Sequence, residues 1–325
     1  MRIQEAYDLI KGDFAIAEEG LAKNLTSGMH LADKVATYVL KNGGKRIRPL
    51  ILLLSSRMAG YDGSKHTDMA VVVEYIHTAT LLHDDVVDSA EKRRGKPSAN
   101  VVWDNSTSVL VGDYLLSRAF SVAVTAESLE ILKVLAETTA LMAEGEVLQL
   151  VKMADPGITE DDYLRIITSK TAALFSASCR IPAILAAADR ERKNALASYG
   201  MNLGVAYQLV DDSLDYVSTD ENMGKPTGND LKEGKLTLPL IKAYRDASER
   251  EKAVIRNVLE TNGVPVKRDV ETVFEIIKEY RGTERTLELA EARIKAAKAA
   301  LDIFAPTPEK AALEAVADFV LQRNH

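Results

Sequence analysis

IHTATLLHDDVVDSAEKRRGKPSAN, residues Ile76 to Asn100, sets an apolar run against three aspartates, Asp84, Asp85 and Asp88, followed by Arg93 and Arg94. The apolar residues recur at spacings of three and four, the period of a helix. On a helix Asp84 and Asp88 stand one turn apart on one face with Asp85 beside them, so their carboxylates converge within about 6 Å. Unpaired, they would repel. A solvated acidic face is the plainer reading of such a triplet. The leucines before it and the valines within it, however, put part of this helix in the interior. Carboxylates held together in a partly dry place need a cation.

Outward from this stretch, nearly every long segment repeats the helical spacing. Glycine and proline fall between the segments, at Gly43-Gly44, Gly60, Gly95 to Pro97, Asp155 to Gly157, Gly224 to Gly228 and Ala305 to Pro308. Thr159 with Asp162 reads as a capping box, and Pro49 and Pro308 each suit a first helical position. The expected fold is all-α, a single domain over residues 1–325 with roughly ten or more helices. An apolar fraction of 46% is enough for a sizeable core. A net charge of -7 argues against nucleic-acid binding, which needs a basic field. Cys179 is the only cysteine, so there is neither a disulfide framework nor a cysteine zinc site. The opening residues lack a signal-peptide layout, and no run is expected to reach the ~18 apolar residues of a spanning helix. A cytoplasmic protein is the resulting expectation.

A second triplet sharpens the first. In VAYQLVDDSLDYV, Asp211, Asp212 and Asp215 repeat the spacing inside another apolar helical stretch. Two such helices can face each other across a central cavity. Oxygen-only donors suit Mg²⁺, which takes one or two protein carboxylates, keeps waters, and completes its shell with substrate phosphates. The site therefore implies a phosphate-bearing substrate. Lys45, Arg46, Arg48, Arg93, Arg94, Lys170, Lys225 and Lys235 lie beside glycines or at motif edges, where backbone can approach a phosphate and arginine can grip it with two bonds.

GGKRIRP, LLHDDVVDSAEKRRGKPSAN, MAEGEVLQL, SKTAALF, YQLVDDSLDY and GKPTGNDLKEGKLTLPL, in this order over most of residues 40 to 240, resemble the trans-isoprenyl diphosphate synthases, the polyprenyl synthetase family. The resemblance implies the isoprenoid synthase fold, a homodimer, and two or three Mg²⁺ per active site. The ions would be held by Asp84, Asp88 and Asp211, with Asp85, Asp212 and Asp215 supporting. It assigns Arg93, Lys170, Lys225 and Lys235 to the allylic diphosphate. Lys45, Arg48, His77 and Arg94 go to isopentenyl diphosphate. Thr171 and Gln208 would offer oxygens to the allylic cation. His77 lies two helical turns before Asp84 on the same face, which agrees with its assignment. His83 points elsewhere and reads as structural. Trp103, Asp104, Glu146 and Gln149 carry no chemistry that the sequence argues for.

In this family the growing chain runs beside the first aspartate helix, and bulky residues just before the cluster form its floor. Ala79 and Thr80 are small here, so a long product is expected, with Tyr75 one turn lower as a partial stop. A helix from about residue 66 gives about 30 Å of wall, room for roughly six to eight isoprene units. YIHTATLLHDD resembles most the long-chain bacterial members that make octaprenyl diphosphate for quinone side chains, and a hydrophobic product implies a peripheral membrane contact. The alternatives are a geranylgeranyl or other medium-chain synthase, a terpene cyclase, and a non-catalytic partner subunit. A cyclase has no use for the isopentenyl diphosphate residues, and such subunits lose the aspartates.

Overall fold

The computed structural model describes residues 1–25, 28–217, 228–260 and 267–323. The expected all-α architecture is present, with one short hairpin as the only sheet among the described residues. The first helices are α1 (Ile3–Leu9), α2 (Lys11–Lys23), α3 (His30–Lys41), α4 (Ile47–Met58), α5 (Lys65–Val87), α6 (Ala99–Val102) and α7 (Asn105–Ala123). Next come α8 (Leu129–Val151), α9 (Glu160–Ile167), α10 (Ala173–Leu185) and α11 (Arg190–Val217). Further helices span Asn229–Lys232, Leu238–Asp246, Glu249–Glu260, Lys267–Glu279, Gly282–Ala300 and Pro308–Gln322. The chain forms two compact units. The first comprises Met1–Thr139, Leu174–Gly200 and Ala300–Val316, the second Ala140–Ala173, Met201–Ala299 and Ala317–His325.

The first unit is built around α5, which packs against α2, α4 and α7. Val71 to Ile76 are buried without interruption, so over that span the helix has no polar face. From α4, Leu50 to Leu54 fill the space beside it and are fully buried. The one acidic side chain in this part of α5, Glu74, is paired with Arg46. Arg46 has φ 45°, and its guanidinium also reaches Glu18 at 3.0 Å and the Leu40 carbonyl at 2.8 Å. This arginine is thus a structural tie that pins the loop before α4 onto α5, where the sequence had suggested a phosphate contact. Pro49 is the third residue of α4, whereas Pro308 opens its helix as expected.

One expectation is corrected by α7. With the turn that follows it, Asn105–Ala126 is long and apolar enough to cross a bilayer by length and composition. The reason is chemical: its exposed positions mix serine and threonine with Val109, Leu110 and Val124, and Asp113 and Arg118 are its only charges. Its other face, with Val111, Gly112, Leu115, Ala119 and Ala123, is buried as α7 packs on α5, the pattern of a core helix. A Cβ on Gly112 would stand 2.3 Å from His83 Nε2, so the two helices touch there. His83 lies 3.2 Å from the Val109 carbonyl and 3.3 Å from Asp113, which makes it structural as expected. Asp104 caps α7 by accepting from the Thr107 amide at 2.7 Å, and Trp103 packs edge-on against Tyr38.

In the second unit, Thr159 and Asp162 form the expected capping box at the start of α9. The helix does not continue smoothly into SKTAALF. A π turn, Thr168–Ala172, intervenes. The helix Leu238–Asp246 packs against α9 and against Lys267–Glu279.

Candidate active site

In the first unit, α5 ends at the aspartates. Asp85 is buried, and its carboxylate accepts a 2.6 Å bond from Arg93 Nε. Burial pushes its pKa up, opposed by the arginine. Asp84, on the last turn of the helix, and Asp88, the C-cap residue just past it, flank it half-buried. Arg93 belongs to a hairpin of Lys92–Arg93 against Lys96–Pro97, closed by Arg94 and Gly95. Their φ values of 53° and 76° are those of a two-residue type I′ turn, in which glycine is at ease and arginine is not. The strained Arg94 is aimed at the loop before α4, and a Cβ on Gly44 would lie 2.9 Å from its Nη1. Gly44 has φ 154°, a backbone conformation that favours glycine, and the guanidinium end lies over its open side. Arg48 stacks over the Phe175 ring at 4.6 Å.

These arginines surround His77. Burial first, then Arg48, Arg94, Arg93 and Arg46, hold its pKa well below the usual histidine value, so the imidazole is neutral. By linkage, stability falls as pH drops below that usual value, since the unfolded chain takes up a proton that the folded one refuses. A neutral histidine among arginines is a place where an anion is welcome. The structure thus brings together Arg48, His77, Arg93 and Arg94 of the expected substrate set. Lys45 sits in the same loop, its carbonyl accepting a hydrogen bond from the Tyr7 hydroxyl.

On α5, Ala79 is buried and Thr80 donates to the His77 carbonyl at 2.8 Å. Tyr75 is fully buried, its hydroxyl donating to the Leu21 carbonyl at 2.6 Å. That ring is locked as core.

In the second unit, Asp211, Asp212 and Asp215 take three different roles. Asp212 is buried and uses both oxygens internally, accepting from Tyr163 at 2.5 Å and from Gln208 at 2.7 Å. Burial, together with Asp211 and Asp215, pushes its pKa up to about 7. Asp215 accepts from the amides of Asn229 at 3.2 Å and Asp230 at 3.0 Å, fastening the segment after the second motif. Asp211 is half-exposed and accepts a 2.9 Å bond from Arg323 in the last helical turn region of the chain. The Arg323 guanidinium also stacks on Tyr207 at 4.3 Å.

Lys170 and Thr171 both lie in the π turn, a feature that often marks a functional segment. Thr171 donates to Gln208 at 2.9 Å, and Lys170 pairs with Glu146 of α8. Lys235 is 2.9 Å from Glu233. Lys225 lies outside the described residues. Asp230, which the sequence reading missed, is pushed well up by burial and by its neighbours Asp212 and Asp215. Its place in GNDLKEGK gave no carboxylate pattern to read.

The donor set fits a hard divalent ion. Asp212, Asp215 and Asp230 are all pushed up by burial and by neighbouring acidic groups, which is an excess of negative charge that added positive charge relieves. Among the described residues no three acidic, histidine or cysteine side chains cage an ion by themselves.

Comparison with known proteins decides the family. Residues 29–277 match the model of the polyprenyl synthetase family. The chain belongs to that family. It is 42% identical, over the whole of both chains, to octaprenyl diphosphate synthase of Escherichia coli strain K12. A decaprenyl diphosphate synthase structure from Rhodobacter capsulatus superposes with TM-score 0.95 at 39% identity, covering 99% of each chain. A polyprenyl synthase from Caulobacter crescentus, solved with calcium and isoprenyl diphosphate, gives 0.94 at 39% identity over 99% of this chain and 98% of that one. This polyprenyl synthetase is accordingly a prenyltransferase with the isoprenoid synthase fold.

One close approach in the synthetase yields a direct test. A Cβ on Gly145 would come within 2.8 Å of the Lys170 amide nitrogen and 2.9 Å of Ser169 Cβ. Gly145→Ala therefore pushes the π turn aside. The expected loss in prenyl transfer is about 10- to 100-fold, the scale of a misplacement of about 1 Å, measured as steady-state rate beside thermal unfolding.

Proposed function

We propose that this chain is a magnesium-dependent long-chain trans-polyprenyl diphosphate synthase. It condenses isopentenyl diphosphate onto an allylic diphosphate such as farnesyl diphosphate and stops at octaprenyl diphosphate, for a quinone side chain. The observation that carries this reading is that both aspartate motifs are complete in a chain 42% identical, end to end, to an octaprenyl diphosphate synthase. Both units serve one catalytic domain in this reading.

Asp84, Asp88 and Asp211 would ligate two or three Mg²⁺, with Asp85, Asp212 and Asp215 in support; when bound, the ions supply Lewis-acid charge to the departing diphosphate. Lys170, Lys235, Arg93 and Lys225 add positive charge for the same leaving group. Lys45, Arg48, His77 and Arg94 hold isopentenyl diphosphate. The guanidinium groups bind it with paired N–H donors and His77 adds a donor without adding charge. As the allylic C–O bond breaks, the isopentenyl double bond attacks the cation and a C–C bond forms. Thr171 and Gln208 present oxygens to that cation and no acidic proton. The proton lost at the end passes to the released diphosphate, which needs no protein base.

Arg323 holds Asp211 in competition with a metal ion. Arg323→Gln is expected to tighten divalent binding by about two- to fivefold, the worth of a partly exposed ion pair. Titration with Mn²⁺, followed by its resonance signal, measures it. Exposed apolar side chains on α7 and the turn after it, Val109, Leu110 and Val124, support a homodimer that buries them against a second copy. A cytoplasmic enzyme meeting the membrane only peripherally, to release product, fits the same reading.

The test is incubation with Mg²⁺, farnesyl diphosphate and labelled isopentenyl diphosphate, with products resolved by length. A ladder ending near eight units is expected. An endpoint of three or four units keeps the chemistry and overturns the octaprenyl assignment, whereas no incorporation favours a partner subunit.

A further inference from the structure

Tyr163, Asp212, Gln208 and Thr171 form one unbroken chain of side-chain hydrogen bonds inside the second unit. Tyr163 comes from α9, Thr171 from the π turn, and Gln208 and Asp212 stand one turn apart on α11. The Tyr163 hydroxyl donates to Asp212 Oδ2 at 2.5 Å. Gln208 Nε2 donates to Asp212 Oδ1 at 2.7 Å, and Thr171 Oγ1 donates to Gln208 Oε1 at 2.9 Å.

The direction of these bonds matters more than their number. A glutamine amide has a donor end and an acceptor end of nearly equal shape, and an isolated Gln208 would sample both. Asp212 Oδ1 accepts from Nε2, which turns the opposite end of the amide, Oε1, toward the Thr171 hydroxyl. Two oxygens, those of Gln208 and Thr171, are thereby set side by side.

The orientation lasts only while Asp212 stays where it is. Asp212 is buried beside other acidic groups, and Tyr163 is the donor on its Oδ2. Without that O–H, a buried carboxylate oxygen is left unsatisfied and the carboxylate turns to find another donor. Gln208 then loses its fixed partner.

We propose that Tyr163 is a positioning residue for prenyl transfer: by anchoring Asp212 it fixes the amide of Gln208, and with it the oxygen pair that Gln208 and Thr171 present to the allylic cation. This rests on the function proposed above, which places Gln208 and Thr171 against that cation. The plain alternative is that Tyr163 is a core aromatic, since its ring is almost fully buried. A phenylalanine would fill the same space, so the two readings separate at the hydroxyl alone.

The experiment is a double-mutant cycle on the full chain with Mg²⁺, farnesyl diphosphate and isopentenyl diphosphate. Tyr163→Phe is expected to lower kcat about 10- to 100-fold, the scale of a lost hydrogen bond to a charged group. KM for isopentenyl diphosphate should stay within about twofold, because that substrate is bound elsewhere. In a Gln208→Ala background, adding Tyr163→Phe should cost nothing further, since the group it positions is gone. A core role predicts the opposite, equal losses in both backgrounds. Full additivity, or Tyr163→Phe turning over like the wild type, overturns the proposal. If Tyr163→Phe does not fold, Tyr163→Met, which also lacks the hydroxyl, replaces it in the same cycle, with non-additivity again expected and additivity again contrary. A wild-type protein that makes no prenyl product overturns the underlying functional reading instead, so the two failures are distinguishable.

Discussion

Asp84→Ala is expected to reduce incorporation of isopentenyl diphosphate by on the order of 10²- to 10³-fold, the scale of removing one electrostatic contact to a developing charge. Thermal unfolding should change little. Asp84 is half-buried in the last turn of α5, after the continuously buried run Val71 to Ile76. Asp85 makes the contrast. It is buried and bonded to Arg93 at 2.6 Å, so Asp85→Ala leaves an arginine without its carboxylate in a partly dry site. That variant should lose both activity and stability. Equal thermal losses for the two variants would contradict the division of labour between neighbours one residue apart.

Ala79→Tyr is expected to shorten the product to about three or four isoprene units, because a ring one and a half turns before Asp84 blocks the wall that the growing chain follows. Ala79 is buried, which gives the result two clear forms. If its side faces the product path, the variant folds normally and the product ladder stops early. If its side faces packed core, the extra ring overfills the interior at a cost of about 1–3 kcal/mol, and the protein melts earlier with an unchanged ladder. Tyr75, by contrast, is already committed to the core through its bond to Leu21, so the space beside Ala79 and Thr80 carries the expectation of a long product.

Local features were legible in the sequence. The spacing of Asp84, Asp85 and Asp88, and its repeat at Asp211, Asp212 and Asp215, gave two helices with carboxylates at their ends. The capping box at Thr159 and the opening proline at Pro308 were also there to read, because each depends on residues within one turn. What escaped depends on partners distant along the chain. Arg46 looked like a phosphate ligand in GGKRIRP, yet Glu74 lies far from it in sequence, and only folding brings the pair together. Asp211 and Arg323 are further apart still, and nothing in LQRNH marks the contact. The π turn at Lys170 lies against α8 at Gly145, a contact between segments distant along the chain that no propensity encodes. RRGK had the glycine of a two-residue turn, but Arg94 at its first position is a poor fit to the rule and hid the hairpin. The apolar character of α7 was missed because its serines read as polar while adding little charge.

In the function proposed above, the two aspartate motifs bind divalent metal together with diphosphate. The direct measurement is Mn²⁺ binding with and without inorganic diphosphate, for the wild type, Asp84→Ala and Asp211→Ala. Tight metal binding is expected only when diphosphate is present, and either substitution should weaken it by about tenfold or more. Metal binding that ignores diphosphate and survives both substitutions would contradict the claim.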